Sequence, residues 1–486
     1  MPVTETQDAG EWMIVAGPVL YARGADRTAV HMTVLAVTPE GDAAPLVAAA
    51  GQEHAMAAAA RLQGHVVWMR DIALPIGGAA HYAIDGTSYS VRTDLGGGVR
   101  IGFVSCNGQE NGDEDREHEH RDVMWRRLRT EHEERPFALL LHGGDQLYAD
   151  EAVESHPAIA AWARADPARR AQAPFTPEME DALRGYFFRR YLDTLTQAAA
   201  APLYATVPSL MIWDDHDIFD GWGSHPDALQ QSPIAQGIFK VAREMFILFQ
   251  VGAAEGALPP TCLDPSGATM TQSAHFPGFS VCLPDLRSER TPDRVMGPAG
   301  WAAFERALAD CPAGDAILLV SSVPALGPRL SLVEAVLDRM PRAQKYEDDL
   351  RDQWQSRSHR EEWRRFLSLL EAKAVEGSRP LTVISGEIHL ATRAEMRLED
   401  GSTMHQLVAS GITHPKPPAA FPLALSLLSR LGESPLRGRP IRIFPLPGRR
   451  MPYIADRNYL VVTRREGLWS AEWELEETGR TPALPL

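Results

Sequence analysis

Five apolar runs of this 486-residue chain each break off in side chains able to do chemistry. They read Arg100-Ile-Gly-Phe-Val-Ser-Cys106, Phe137-Ala-Leu-Leu-Leu-His-Gly-Gly-Asp145, Ser209-Leu-Met-Ile-Trp-Asp-Asp-His-Asp217, Phe279-Ser-Val-Cys-Leu-Pro-Asp285 and Leu381-Thr-Val-Ile-Ser-Gly-Glu-Ile-His389. Carboxylates, imidazoles and one thiol gathered in one place would hold metal ions. In Asp214-Asp215-His216-Asp217 the carboxylates repel one another and raise their own pKa unless a cation offsets the charge, although a structural salt-bridge cluster would also do so. Glu387 and His389, two residues apart, project to the same side of an extended segment. Cys106 stands where a hard-metal site would carry Asp, and a thiolate favours iron or zinc over calcium or magnesium alone. Tyr148 follows Asp145 closely enough to return to the same centre. Arg287 and Arg290 offer planar donors suited to a phosphoryl group, or else a salt-bridge network with Asp285 and Glu289.

The elements that must position these groups are buried strands. Apolar runs of four to six residues bounded by Gly or polar turns have that signature, and in open α/β sheets ligands gather beyond the carboxyl ends of strands. Residues 98–486 alternate such strands with helical stretches, the mark of an α/β unit. Residues 1–97 instead show short strands punctuated by turns, which predicts a separate small β-sandwich-like domain. The charged segment 111–134, with His118, His120 and His132, carries Val123, Met124 and Leu128 at helical spacing. A solvated amphipathic helix is the stronger reading there, with a metal site as the alternative. Residues 330–376 read as a second helix-rich stretch, the Pro-rich segment 415–452 as a surface excursion or lid, and residues 457–476 as a closing hairpin.

Composition excludes several roles. A formal charge of −16 argues against a nucleic-acid backbone or an anionic membrane as the main partner. No stretch approaches the roughly 20 apolar residues of a membrane span, and the amino terminus shows neither a secretory nor a twin-arginine signal. Four cysteines without C-x-x-C spacing fit a reducing compartment. The expected location is cytoplasmic.

Taken in order, Phe103-Val-Ser-Cys106-Asn, Gly144-Asp-Gln-Leu-Tyr148-Ala-Asp150, Trp213-Asp-Asp-His-Asp217, Asp285-Leu-Arg287-Ser-Glu-Arg290 and Ser385-Gly-Glu387-Ile-His389 resemble the PhoD-like alkaline phosphatases, a branch of the calcineurin-like metallophosphoesterases. The resemblance spans roughly residues 99–407. It implies a four-layer α/β/β/α domain with a bimetal centre of iron plus calcium, zinc, manganese or magnesium. Asp145 would bridge the metals, Cys106 and Tyr148 would bind ferric iron, and Asp214, Asp215, Glu387 and His389 would complete the ligand set. His216, Asp217 and Arg287 would act on the substrate, His216 by contacting the phosphate or protonating the leaving group. The implied reaction is in-line attack of a metal-activated hydroxide on a small phosphate monoester or diester. Two departures accompany it: Glu387 stands where the family usually has Asp, and the twin-arginine signal of secreted members is missing. The competing reading is a phospho-ligand binding or scaffold protein that keeps the fold without turnover; a zinc hydrolase of amides or lactones would call for a cluster richer in His.

Overall fold

A computed structural model describes residues 14–96, 98–328, 353–377, 379–386 and 388–486. Glu387 and residues 330–352 of the helix-rich stretch lie outside the described residues; the remainder of that stretch holds the helix Arg360–Val375.

Val99–Val104, Leu139–Gly143 and Ser209–Ile212 form three adjacent parallel strands, with Leu139 opposite Ile101 and Leu140 opposite Ser209. Almost every residue in them is buried, as expected of parallel strands covered on both faces. They lie near the middle of a ten-stranded sheet. An eight-stranded sheet faces it, built around the parallel strands Phe279–Leu283, Ala316–Ser321, Leu381–Ser385 and Thr403–Val408.

The period of two along these strands sorts their side chains into layers. Val281, Leu318 and Ile384 share a core with Phe103 and Leu141 of the first sheet. Their neighbours Cys282, Leu319 and Val383 turn the other way, onto the helices Pro298–Asp310 and Arg360–Val375. Helices Val123–Glu134, Pro177–Leu195 and Pro233–Phe246 bury residues such as Trp125, Phe187 and Phe246 in the core of the first sheet. The result is the α/β fold in four layers, α/β/β/α.

Residues 14–96 contribute to two sheets. Ala16–Ala25 pairs in parallel with Ser209–Ile212 through Tyr21 and Ser209, so the ten-stranded sheet runs on through Ala29–Pro39, His65–Pro75 and Ala57–Leu62. The strands Leu46–Ala49, Gln52–Ala55, Ala79–Ile84 and Thr87–Arg92 form a separate four-stranded sheet. At the other end, Asn458–Arg465 and Leu468–Leu475 form an antiparallel hairpin beside Val99–Val104.

Segment 415–452 holds more regular structure than a surface excursion. The helix Ala420–Leu428 is followed by Glu433–Leu436 and Arg439–Phe444, which extend the edge of the eight-stranded sheet. Pro435 and Pro440 obscure these strands in the sequence; Pro435 lies in the outermost strand, where one side of the backbone needs no ladder partner, and Pro440 is the second residue of the strand inside it. Among the described residues, no helix is long and apolar enough to cross a membrane.

Candidate metal centre

The strand ends converge where the two sheets open, and the backbone there is strained. Among the described residues, seven other than glycine have positive φ. Ala50, Gln63, Asp85 and Glu466 each precede a glycine in a hairpin turn, where that conformation is routine. The other three are Cys106 (54°), Asp145 (53°) and His389 (50°), each just past the end of a central strand. Left-handed backbone at such residues costs about 1–3 kcal/mol apiece and persists where surrounding structure enforces it, commonly at functional sites.

Two glycines permit the convergence. Gly144 has φ 102°, and a Cβ on it would lie 2.7 Å from Asp214 Cβ; a Cβ on Gly386 would lie 2.4 Å from Ser105 Oγ. Across the gap, the Cys106 amide donates to the Gly144 carbonyl (3.1 Å) and the Asn107 amide to that of Asp145 (2.7 Å).

One side of the centre is carboxylate-rich. Ligand oxygens of Asp145, Asp214 and Asp215 lie within 4.8 Å of one another. Arg287, fully buried, donates from Nε to Asp214, sits 3.4 Å from Asp215 and donates to the Trp222 carbonyl (3.1 Å). Of the two readings open for Arg287, its side chain is thus engaged with the carboxylates of the cluster. Asp217 organises the turn. Its Oδ2 accepts from the amides of Asp145 and Asp214, and its Oδ1 from the amide of Leu147 and the amide nitrogen of Gln250. With both oxygens doubly engaged and no surface exposed, Asp217 offers no lone pair to a substrate, unlike its expected place beside His216. Asp285 serves the same purpose one loop away, accepting from Trp213 Nε1 and the amides of Met270, Arg287 and Ser288.

The other side is softer, built from a thiol, imidazoles and a phenol. Cys106 Sγ lies 3.4 Å from Asp145 Oδ2 and accepts from Ser410 Oγ at 3.1 Å. Glu110, His389 and His414 bring ligand atoms within 4.8 Å of one another, with the two imidazoles stacked at a 3.4 Å centroid distance and His414 bonded to Glu110 at 3.2 Å. Tyr148 lies between the sides, stacked on His216 (4.4 Å) and tilted against His414 (5.6 Å). His216 Nδ1 is held by both oxygens of Asp150, at 2.9 and 3.0 Å.

These residues fit a metal centre by the atoms left without partners. Asp145 Oδ1, the Tyr148 phenol and His389 Nδ1 are buried and make no hydrogen bond, a costly state unless a ligand satisfies them. Burial lifts the Asp145 carboxyl far above the usual range; His216 opposes the shift while Asp214, Asp215 and Asp217 add to it. Burial likewise raises the Tyr148 phenol, helped by Cys106 and Asp145, and lowers His389, helped by His414. Cations placed among these groups would favour the deprotonated form of all three.

The structure therefore gathers Cys106, Asp145, Tyr148, Asp214, Asp215, His216 and His389 at one place. His118, His120 and His132 stay outside it: Val123–Glu134 is an amphipathic helix burying Met124, Trp125 and Leu128, and His132 accepts from the Phe137 amide. The sequence reading missed Glu110, Asp220, Ser410 and His414, and quoted Asp150 in a motif without giving it a role. Asp220 groups with Asp215 and His216. A signal for His414 existed, because Thr403–Val408 is another central strand followed by polar side chains, Ser410 and His414.

Comparison with known proteins agrees with this geometry. Residues 105–347 match the model of a family described as PhoD related phosphatase. The uncharacterized protein YGR266W of Saccharomyces cerevisiae is 22% identical over 333 residues, 56% of this chain and 47% of that protein, so the chain spans about half the length of this curated relative. Among solved structures, PhoD superposes with a TM-score of 0.60 at 11% identity, covering 99% of this chain and 90% of its own. The purple acid phosphatase PPD1 of yellow lupin (Lupinus luteus) seeds gives a TM-score of 0.56 at 12% identity, covering 96% and 73%.

Proposed function

The chain belongs to the PhoD-related phosphatase family, and we propose on that premise that it is a metal-dependent hydrolase of small phosphate esters. The observation that carries the reading is the set of buried, unpartnered ligand atoms on Asp145, Tyr148 and His389, grouped with Cys106 beyond the central strand ends. Asp145, with Oδ2 near Cys106 and Oδ1 unbonded, would serve as a ligand on both sides of a pair of ions. Cys106 and Tyr148 suit iron, and Asp214 and Asp215 suit a divalent ion, with His389 and, by its place in the sequence, Glu387 completing the set. Such a centre supplies a nucleophile from water at neutral pH and neutralises charge on the phosphoryl oxygens.

The chain's own residues do the rest. Asp150 fixes the His216 ring through Nδ1, which leaves Nε2 to give a proton to the departing alkoxide. Arg287 acts through Asp214 and Asp215, holding the carboxylates in place, and Asp217 fixes the turn that carries them; both are positioning residues in this reading. A cluster of this kind grips the phosphoryl group rather than the alcohol, so monoesters and diesters are both substrates in principle. The test is hydrolysis of p-nitrophenyl phosphate and bis-p-nitrophenyl phosphate before chelation, after it, and after metal restoration. Turnover that disappears and returns with metal supports the reading, and the ratio of the two rates assigns the preferred ester. Activity indifferent to chelation refutes it.

A further inference from the structure

The helix Ala420–Leu428 reads Ala-Phe-Pro-Leu-Ala-Leu-Ser-Leu-Leu, with no charged side chain on any side. A helix of that composition is ordinarily enclosed by protein or by lipid. Among the described residues only one side is enclosed: Leu425 packs against Leu390 and Tyr453, and Pro422 is buried. The other side exposes Leu423 (52%), Leu427 (55%) and, in the next turn, Leu431 (58%), spaced four residues apart, with Phe421 at 36%. Met451, two residues before Tyr453, is 41% exposed. The remaining large exposed hydrophobics among the described residues, Leu46 and Leu468, are far from these in sequence. A clustered apolar patch of this kind marks a site of contact.

Charge identifies the partner. In a chain of net charge −16, residues 415–452 contain seven basic side chains and one acidic one, Glu433. Arg430, Arg437, Arg442 and Arg450 are exposed and have no carboxylate partner among the described residues. A second copy of this face would bring like charges together. An anionic bilayer accepts both features, leucines at the acyl boundary and arginines among the phosphates.

We propose that the helix Ala420–Leu428, with its flanking arginines, docks the protein on an anionic lipid surface. Leu425 rests on Leu390, the residue after His389, so docking sets the candidate centre beside the headgroups. The strongly negative total conceals this local excess of positive charge, which is why the sequence-level argument against an anionic membrane does not hold for this face.

The test is flotation of the full chain with phosphatidylcholine vesicles, with and without phosphatidylserine, and it requires no turnover. The chain should float with the phosphatidylserine vesicles and release as salt rises. Arg430→Glu with Arg437→Glu should weaken binding at least about tenfold, and Leu423→Asp with Leu427→Asp should abolish it. All four side chains are exposed, and an unchanged melting temperature shows that each variant folds. Flotation with neither vesicle, or flotation that survives the leucine substitutions, overturns the proposal. So does a wild-type dimer that dissociates on leucine substitution while vesicles remain unbound, which assigns the face to a second copy.

Discussion

The two sides of the candidate centre solve the problem of buried polar groups differently. On the carboxylate side, Asp214 and Asp215 are neutralised from within by Arg287, and Asp217 is saturated by three backbone amides and Gln250. On the other side, Tyr148 and His389 keep buried atoms without partners, and two imidazoles lie face to face, an arrangement hostile to protonation of both. The first side draws much of its compensation from a buried guanidinium and backbone amides; the second has no such cation of its own beside Tyr148 and His389 among the described residues. Asp145 belongs to both, with its Oδ2 near Cys106 and its Oδ1 unbonded.

Breaking the shared residue should have the largest effect. Asp145→Asn is expected to lower kcat for p-nitrophenyl phosphate by on the order of a thousandfold or more and to reduce metal content on both sides, while circular dichroism stays unchanged. Next is Arg287→Met, which leaves buried carboxylates uncompensated and should cost about 3 kcal/mol in urea unfolding of the metal-free chain. A divalent ion should restore part of that loss. His414→Gln, the counterpart on the other side, should change metal-free stability by no more than about 1 kcal/mol, and a loss as large as that of Arg287→Met would erase the contrast between the two sides.

The carboxylate side also rests on an acid-sensitive support. His142, in the strand leading to Asp145, is buried between Gln146 and Ser209, and burial lowers its pKa from 6.5 to about 4. The folded state therefore keeps the imidazole neutral while the unfolded chain takes up a proton between pH 6.5 and about 4. Stability from this group is complete above pH 6.5 and falls as the pH drops to about 4, by up to about 3 kcal/mol. Urea midpoints at pH 7 and near pH 4 should differ less in His142→Asn, which keeps a donor toward Gln146; an unchanged difference would exclude His142 as the cause. Among the activity effects the smaller is expected at Asp150→Asn, roughly tenfold to a hundredfold in kcat. It should be greater for alkyl phosphates than for p-nitrophenyl phosphate, whose leaving group needs no proton.

The sequence made the centre's strands legible and its loops much less so. Strands buried on both faces must be apolar throughout, so the chemistry at their ends stands out, and Cys106, Asp145, Asp215 and His389 could be found that way. Glu110 reaches the site through a loop path set by tertiary packing, which no local pattern encodes, whereas Asp150 ends a motif that was read without giving it a role and His414 follows a buried strand that was not read as one of the set. Spacing alone also could not separate His216 from Asp217: in the short turn Asp215–Asp217 adjacent side chains diverge, one toward Tyr148 and Asp150, the other into the backbone amides beneath. The two strands of segment 415–452 were hidden by their prolines. The amino-terminal strands read as a separate unit because nothing local reveals the pairing of Tyr21 with Ser209.

The central claim is that this arrangement is a bimetal centre bridged by Asp145. Elemental analysis of the purified chain and of Asp145→Asn, read together with p-nitrophenyl phosphate turnover during stepwise chelation and metal restoration, tests it most directly. The account predicts iron with a second divalent ion in the wild type, turnover that follows their loss and return, and a variant depleted of both. A chain that takes up no metal, or that hydrolyses phosphate esters equally well without it, would contradict the account.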